Sequence, residues 1–337
     1  MIDVQKLPAI STPLPWHDGV WTQLNQQLVE DQLPHALMLV GRQYTGKSQL
    51  AMALARLLLC AQPQGALNCG KCHACELSAS GGHGDFLWVT PLEKSRVIKI
   101  DQVRDVVRFT SKTAGFGARK VIVLAPAETM NVNAFNALLK SLEEPASGTY
   151  LILVCDHMYG VPATIRSRCH IKHLPTPATA ASLDWLDLTT GQRERSQELL
   201  SLADGLPLLA RDLYCGDAVD ELVARRLALE GVIAGRITVQ KARSLWGDAD
   251  LSVFLEHLTG EMQRLLGSLS LERLRSKPGQ QLFKLLDEVS QLRRAVNAGA
   301  NPSKDLLVEA LFAKAQRRLG ADLLGDSIHA QTGDTGT

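Results

Sequence analysis

The chain has 337 residues, 45% hydrophobic and 21% charged, with a formal net charge of +1. That length suggests two or three domains at roughly 100–200 residues each, and the balanced charge excludes the global basic field that drives nonspecific DNA binding. No apolar run reaches the ~18 residues of a membrane span, and Met1 to Pro8 lack the basic-then-apolar layout of a secretory signal. The expectation is a cytoplasmic protein whose seven cysteines sit in a reducing compartment.

In chain order, His35 to Val40 is a short apolar run that reads as a buried strand, and Leu50, Leu54, Leu57 and Leu58 repeat at helical spacing. Between them, Val40-Gly41-Arg42-Gln43-Tyr44-Thr45-Gly46-Lys47-Ser48 is a complete G-x-x-x-x-G-K-[ST] loop. Such a loop wraps a phosphate in backbone N–H groups, sets its lysine on the β/γ oxygens and offers its hydroxyl to Mg²⁺. Gly41, Gly46, Lys47 and Ser48 are therefore the candidate contacts for ATP or ADP.

Cys60, Cys69, Cys72 and Cys75 follow, spaced C-x8-C-x2-C-x2-C in a glycine-containing stretch. Four thiolates so close can close a tetrahedral Zn²⁺ site of the structural kind. Two other readings stay open: four unligated thiols, or an iron–sulfur cluster, although the Cys-Pro end of the common ferredoxin run is missing. His73 reads as a solvated loop residue, and Cys155 and Cys215 as buried apolar residues.

Further strands are expected at Phe86 to Val89, Val121 to Leu124 and Tyr150 to Cys155. Asp101 is expected to cap a helix carrying Val103, Val106, Val107 and Phe109, and Asn131 another carrying Phe135, Leu138, Leu139 and Leu142 before Pro145 stops it. Strands alternating with helices predict an α/β domain, a parallel sheet with helices on both faces, closing near residue 172. Beyond Pro175 and Pro177 every periodic segment is helical, with the last near Ser303 to Leu319. The predicted layout is an α/β domain over 1–172 containing the cysteine module 60–75, a small helical unit over 173–215, a larger one over 216–322, and a disordered tail over 323–337.

One strand lacks what hydrolysis needs. A P-loop ATPase requires an acid at the end of a neighbouring strand to orient Mg²⁺, usually with a glutamate beside it. The run Val121-Ile122-Val123-Leu124 ends in Ala125-Pro126, and neither can hold a metal. Glu128 lies two positions on, where a solvated acid at a helix start is the plainer reading and a substitute ligand the bolder one.

Leu138-Leu139-Lys140-Ser141-Leu142-Glu143-Glu144-Pro145, then Ser167-Arg168-Cys169, together with the inserted cysteine cluster, resemble the clamp-loader branch of the AAA+ ATPases, as found in bacterial DNA polymerase III. The likeness in organisation runs from about residue 20 to about 320, while its sharp motifs all precede residue 170. The resemblance implies an AAA+ domain, a helical lid over 173–215 and a C-terminal collar. It also implies that Arg168 is an arginine finger acting in trans on ATP held by a neighbouring subunit. Partners would be the tau/gamma motors and delta, with the sliding clamp and primed DNA engaged through the complex.

Hydrolysing members carry Asp-Glu where this chain has Ala125 and Pro126, and an arginine in a Gly-x-x-Arg pattern where it has Gly205-Leu206-Pro207-Leu208. Arg211, one turn later, reads as surface charge. The resemblance therefore implies a non-hydrolysing member, a stator, although some such members have lost the P-loop that this chain keeps. Two rival readings are a catalytically active P-loop ATPase or kinase, and a zinc-dependent DNA-binding module using Arg42, Lys47, Arg56 and Lys71. Apolar stripes such as Leu265, Leu266 and Leu269, or Leu306, Leu307, Leu311 and Phe312, serve mostly the domain's own core and partly an interface.

Overall fold

A computed structural model describes residues 7–320, except 93, 94, 96, 159, 217, 218, 247–249, 298 and 299, together with 323 and 324. The described chain divides into two units, 1–214 and 215–337.

In the first unit, β1 (Ala36–Val40), β2 (Phe86–Val89), β3 (Lys120–Leu124), β4 (Thr149–Cys155) and β5 (His170–His173) form one sheet in the order β2-β3-β4-β1-β5. Every pairing is parallel, with Met38 of β1 level with Leu153 of β4 and Ile171 of β5. Because successive side chains of a strand point to opposite faces, the apolar runs feed two cores. Leu37, Leu39, Val121, Val123, Ile152 and Val154 pack with α1 (Asp18–Val29) and α2 (Lys47–Leu59) through Trp21, Leu24, Leu50 and Leu54. Met38, Ile122, Leu124, Leu151 and Leu153 pack on the other face. Following α3 (His73–Ala79), α4 (Ile100–Thr110) and α5 (Val132–Glu143) cover that face with Val103, Val106, Phe135 and Leu138. This is the P-loop α/β architecture that the sequence predicts, with helices on both faces of a parallel sheet.

Local details depart from expectation in places. Asn131 caps α5 as expected, its side chain accepting from the Ala134 N–H at 2.8 Å. At α4 the capping residue is Lys99, whose N–H donates to Gln102 at 3.1 Å; Asp101 lies in the first turn and pairs with Arg104 at 3.0 Å. An acid is also favoured there by the helix dipole, so its presence marks a helix start to within a turn. The strand β5 and the helix α1 were not read from the sequence. Short α6 (Ala163–Arg166) leads into β5, and α7 (Thr179–Thr190), α8 (Arg193–Leu202) and α9 (Pro207–Cys215) follow.

The second unit is all helical: α10 (Val219–Ile233), α11 (Val239–Leu245), α12 (Leu251–Ser268), α13 (Leu271–Arg275), α14 (Lys277–Asn297) and α15 (Lys304–Leu319). Trp246, Phe254 and Phe312 meet edge-on at its centre, with ring centroids 5.1 to 5.8 Å apart. Leu265, Leu311 and Phe312 are buried in this core while Leu306 is 70% exposed, so the apolar stripes serve mainly their own unit. Leu323, assigned by the sequence to the tail, is buried in the same core; the tail from 325 onward lies outside the described residues. Cys215, expected to be buried, is exposed, since the last turn of α9 carries it past the buried Leu213. Among the described residues no helix is long and apolar enough to cross a membrane.

Candidate functional site

The P-loop leaves the C-terminal end of β1, flanked by β4 on one side and β5 on the other. The crevice outside the strand ends, where order reverses about the first strand, is where open α/β sheets bind ligands. The Gly41 N–H donates to Cys155 O at 3.2 Å and the Leu174 N–H to Val40 O at 2.7 Å, which fixes the loop's stem between both neighbours. Gly46 precedes α2 at φ +85°, and a Cβ there would meet Leu14 Cδ1 at 2.4 Å and His17 Cε1 at 2.9 Å. Only glycine suits both that backbone and that cover.

The cover itself escaped the sequence reading. Trp16 Nε1–H donates to Thr45 O at 2.9 Å, and His17 Nε2 bonds the same oxygen at 2.8 Å. With Nε2 as donor, His17 Nδ1 accepts the Leu14 N–H at 3.4 Å, and burial holds the imidazole below its usual range. His17 is thus a neutral strut under the loop. Trp16 also meets Trp185 of α7 edge-on at 5.5 Å, and the Arg211 guanidinium of α9 lies over the Trp185 ring at 6.0 Å. Arg211 bonds Asp212 at 2.7 Å. It is therefore part of an aromatic connection between the loop and α9, while Leu208, where hydrolysing relatives of the resemblance carry arginine, is a buried core residue.

Lys47 is 5% exposed; its Nζ donates to Arg42 O at 2.6 Å and pairs with Asp156 Oδ1 at 2.8 Å. Asp156 directly follows β4, and β4 lies between β1 and β3. The acid beside the loop therefore comes from β4. Ala125, at the end of β3, is buried in the layer that packs on α2. Glu128 does not turn away from the sheet as the solvated reading had it. A short 3₁₀ turn over Ala127–Thr129 brings its Oε1 to the Asp156 N–H at 2.8 Å. Its Oε2 is buried with no hydrogen-bond partner among the described residues. Burial, reinforced by the Asp156 charge, pushes the Glu128 carboxyl up to about 7.

The four cysteines of the module converge, their sulfurs all within 4.8 Å of one another. Cys60 and Cys72 Sγ are 3.9 Å apart, as are those of Cys69 and Cys75. A tetrahedral ion with metal–sulfur bonds of about 2.3 Å needs sulfurs about 3.8 Å apart, so the set could hold a metal such as zinc. The Cys69 N–H reaches Cys60 Sγ at 3.3 Å and the Cys72 N–H reaches Cys69 Sγ at 3.4 Å, outer contacts that stabilise thiolate. Bonds from the Lys71 and Cys72 N–H groups hold Cys69 down at about 6, whereas burial drives Cys60 up to about 12. A bound cation would supply the charge that lets the Cys60 thiol ionise as a ligand. His73 starts α3 on the exposed side, 4.0 Å from Glu76, outside the set.

Arg56 of α2, 1% exposed, holds this module. Its Nε donates to Ser78 Oγ at 3.1 Å, Nη1 to Ser11 Oγ at 2.8 Å and to Pro8 O, and Nη2 to Ala9 O at 2.9 Å and Cys75 O at 3.3 Å. Of the four cations proposed for DNA contact, Lys47 and Arg56 are thus buried in internal bonds. Only Arg42 and Lys71 remain exposed.

Arg168 lies between α6 and β5, partly exposed, with Nε on Glu143 Oε1 at 2.8 Å and Nη1 on Thr164 O at 2.9 Å. His170 is level with Leu37 at the start of β1, whereas the P-loop leaves the other end. Four residues of strand separate Leu37 from Gly41, roughly 13 Å at ~3.3 Å per residue, and Arg168 precedes His170. Arg168 and the chain's own P-loop sit at opposite ends of the sheet.

A family profile described as "DNA polymerase III, delta subunit" matches residues 16–178. The DNA polymerase III subunit delta' of Pseudomonas aeruginosa is 38% identical over 321 residues, covering 89% of this chain and 96% of that protein. The chain belongs to the delta' family of DNA polymerase III subunits. The delta' subunit of Yersinia pestis is 38% identical over 59% of this chain and 60% of its own length. That of Escherichia coli is 35% identical over 54% and 55%. These shorter matches extend over less than two thirds of each relative.

Proposed function

We propose that the chain is a clamp-loader subunit of DNA polymerase III that does not hydrolyse ATP itself and supplies Arg168 to an ATP site on an adjacent motor subunit. The observation that carries this reading is the placement of Arg168. It is partly exposed, held in one orientation by Glu143 and Thr164, and at the end of the sheet remote from its own P-loop. From there a guanidinium can serve only phosphates bound to another chain, where it would stabilise the charge of phosphoryl transfer. The strand end at Ala125-Pro126 and the buried Leu208 agree with a chain that is not the motor.

On this reading residues 173–215 act as a lid and 216–322 as the collar that joins the tau/gamma and delta subunits, so that the assembled ring places the sliding clamp on primed DNA. Cys60, Cys69, Cys72 and Cys75 hold structural Zn²⁺, and Gly41, Gly46, Lys47 and Ser48 form the nucleotide cradle. The test is a loader reconstituted with hydrolysing motor subunits and delta. Arg168→Ala should leave assembly intact and lower clamp- and DNA-stimulated ATP turnover, by about 10²-fold at the site it serves. Unchanged turnover would refute the finger, and robust Mg²⁺-dependent turnover by the isolated chain would favour the motor reading.

A further inference from the structure

We propose that Glu128 and Asp156 together form the cation-facing wall of a Mg²⁺–nucleotide site on this chain, replacing the acids missing from the end of β3. The P-loop supplies what a polyphosphate needs: an N-terminal helix turn at Lys47, a left-handed Gly46 and a partly exposed Ser48 hydroxyl. What Ala125 and Pro126 withhold is negative charge for the divalent ion. The two carboxylates arrive from different places. Asp156 extends from β4, the strand hydrogen-bonded to β1, and already contacts Lys47 at 2.8 Å. Glu128 arrives from the 3₁₀ turn and is locked to Asp156 through the 2.8 Å backbone bond.

The buried, unpartnered Oε2 of Glu128 is the independent sign of a ligand. A buried carboxylate oxygen without a donor costs about 1–3 kcal/mol, and a hard dication that favours oxygen ligands is the partner it lacks. A polyphosphate alone would bring its negative charge onto Asp156 and Glu128, and a polyphosphate with Mg²⁺ would not. The ligand class is therefore a nucleoside di- or triphosphate carried with its divalent ion. Lys47 would exchange the Asp156 carboxylate for phosphate oxygens, which releases Asp156 toward the ion. This inference does not depend on Arg168; it concerns the chain's own loop.

The test is equilibrium binding of the fluorescent nucleotides MANT-ADP and MANT-ATPγS to the full chain, in Mg²⁺ and in EDTA, for wild type, Glu128→Gln and Asp156→Asn. Thermal unfolding confirms that each variant is folded. Glu128→Gln keeps the acceptor for the Asp156 N–H, so its effect isolates the charge. Wild type should bind at least about tenfold more tightly in Mg²⁺ than in EDTA, a ratio that falls toward one in both variants. In EDTA the variants should bind as well as wild type or better, because repulsion has been removed. Mn²⁺ titrated in the presence of ADP should show one bound ion in wild type, lost in Glu128→Gln. The proposal is overturned by an unchanged Mg²⁺ ratio in the variants, by equal weakening in Mg²⁺ and EDTA, or by no binding under either condition. Loss of nucleotide binding with Arg168-dependent turnover preserved would leave the stator reading standing.

Discussion

Arg56→Met removes the guanidinium that ties residues 8–11 and the cysteine module to α2 while roughly keeping the side chain's apolar volume. Five hydrogen bonds disappear, yet their acceptors do not suffer equally. Ala9 O keeps the Asn68 Nδ2 donor at 2.9 Å, and Cys75 O keeps the Ser78 hydroxyl at 3.0 Å. Ser11 still receives the chain through its own N–H, which donates to Asn68 at 2.9 Å. Pro8 O and the Ser11 hydroxyl lose the bonds shown for them. At about 1–3 kcal/mol for each orphaned group, offset by the removal of a charge that burial disfavours, the net loss is about 2–4 kcal/mol. For a unit of this size that is roughly 5–12 °C in Tm. The assay is thermal unfolding of the zinc-loaded chain with limited proteolysis across residues 7–15. Arg56→Met should lower the first transition and open that segment to cleavage, with Arg56→Lys intermediate because a single ammonium cannot span the fork. A variant with wild-type Tm and wild-type cleavage would refute the clamp role.

Four other outcomes follow from particular contacts. Because the folded pKa of Glu128 is raised to about 7, the folded state holds a proton that the unfolded chain has lost, and stability declines as pH climbs from about 4.5 to 7. Glu128→Gln should therefore raise Tm at pH 8, by roughly 1–3 kcal/mol of stability, and much less at pH 5; equal gains at both would refute the shift. Metal analysis of the purified chain should give one Zn²⁺, reduced below half by Cys75→Ser, and chelation should expose residues 60–79 to proteolysis; a metal-free chain with the same resistance would show the thiols stand unaided. Phe312→Ala should cost about 3–5 kcal/mol in the second unit, read by urea unfolding, since the ring is fully buried against Trp246 and Phe254. Lowering the pH should protonate His17 and loosen the loop's cover, since its folded pKa lies below the ordinary 6.5 and the stability it contributes is lost as pH falls through that lowered value; a shift in Trp16 emission that His17→Gln abolishes would report it.

Local chemistry is what the sequence by itself determined. Glycine, lysine and serine at fixed spacing specify the phosphate loop, because its geometry is made by consecutive backbone groups. Four cysteines within sixteen residues specify a convergent thiol set, because the intervening chain is too short for them to lie far apart. Apolar runs and helical periodicity were enough for the α/β first unit and the helical second one. Tertiary structure decided which strand neighbours which, and with it the chemistry of the crevice. Asp156, which follows Tyr150 to Cys155, was not among the candidate residues, because nothing local says that β4, not β3, lies beside β1. Glu128 was placed in solvent because two residues beyond a strand is a turn's worth of freedom, and only the 3₁₀ turn aims it inward. Arg56 read only as one of four cations available to a DNA-binding module, and its bonds to residues 8–11, some forty-five positions away, come from the tertiary fold. The end of the sheet on which Arg168 lies, remote from the P-loop, became visible only when parallel β5 set His170 level with Leu37, because strand direction is a property of the sheet and not of any segment in it.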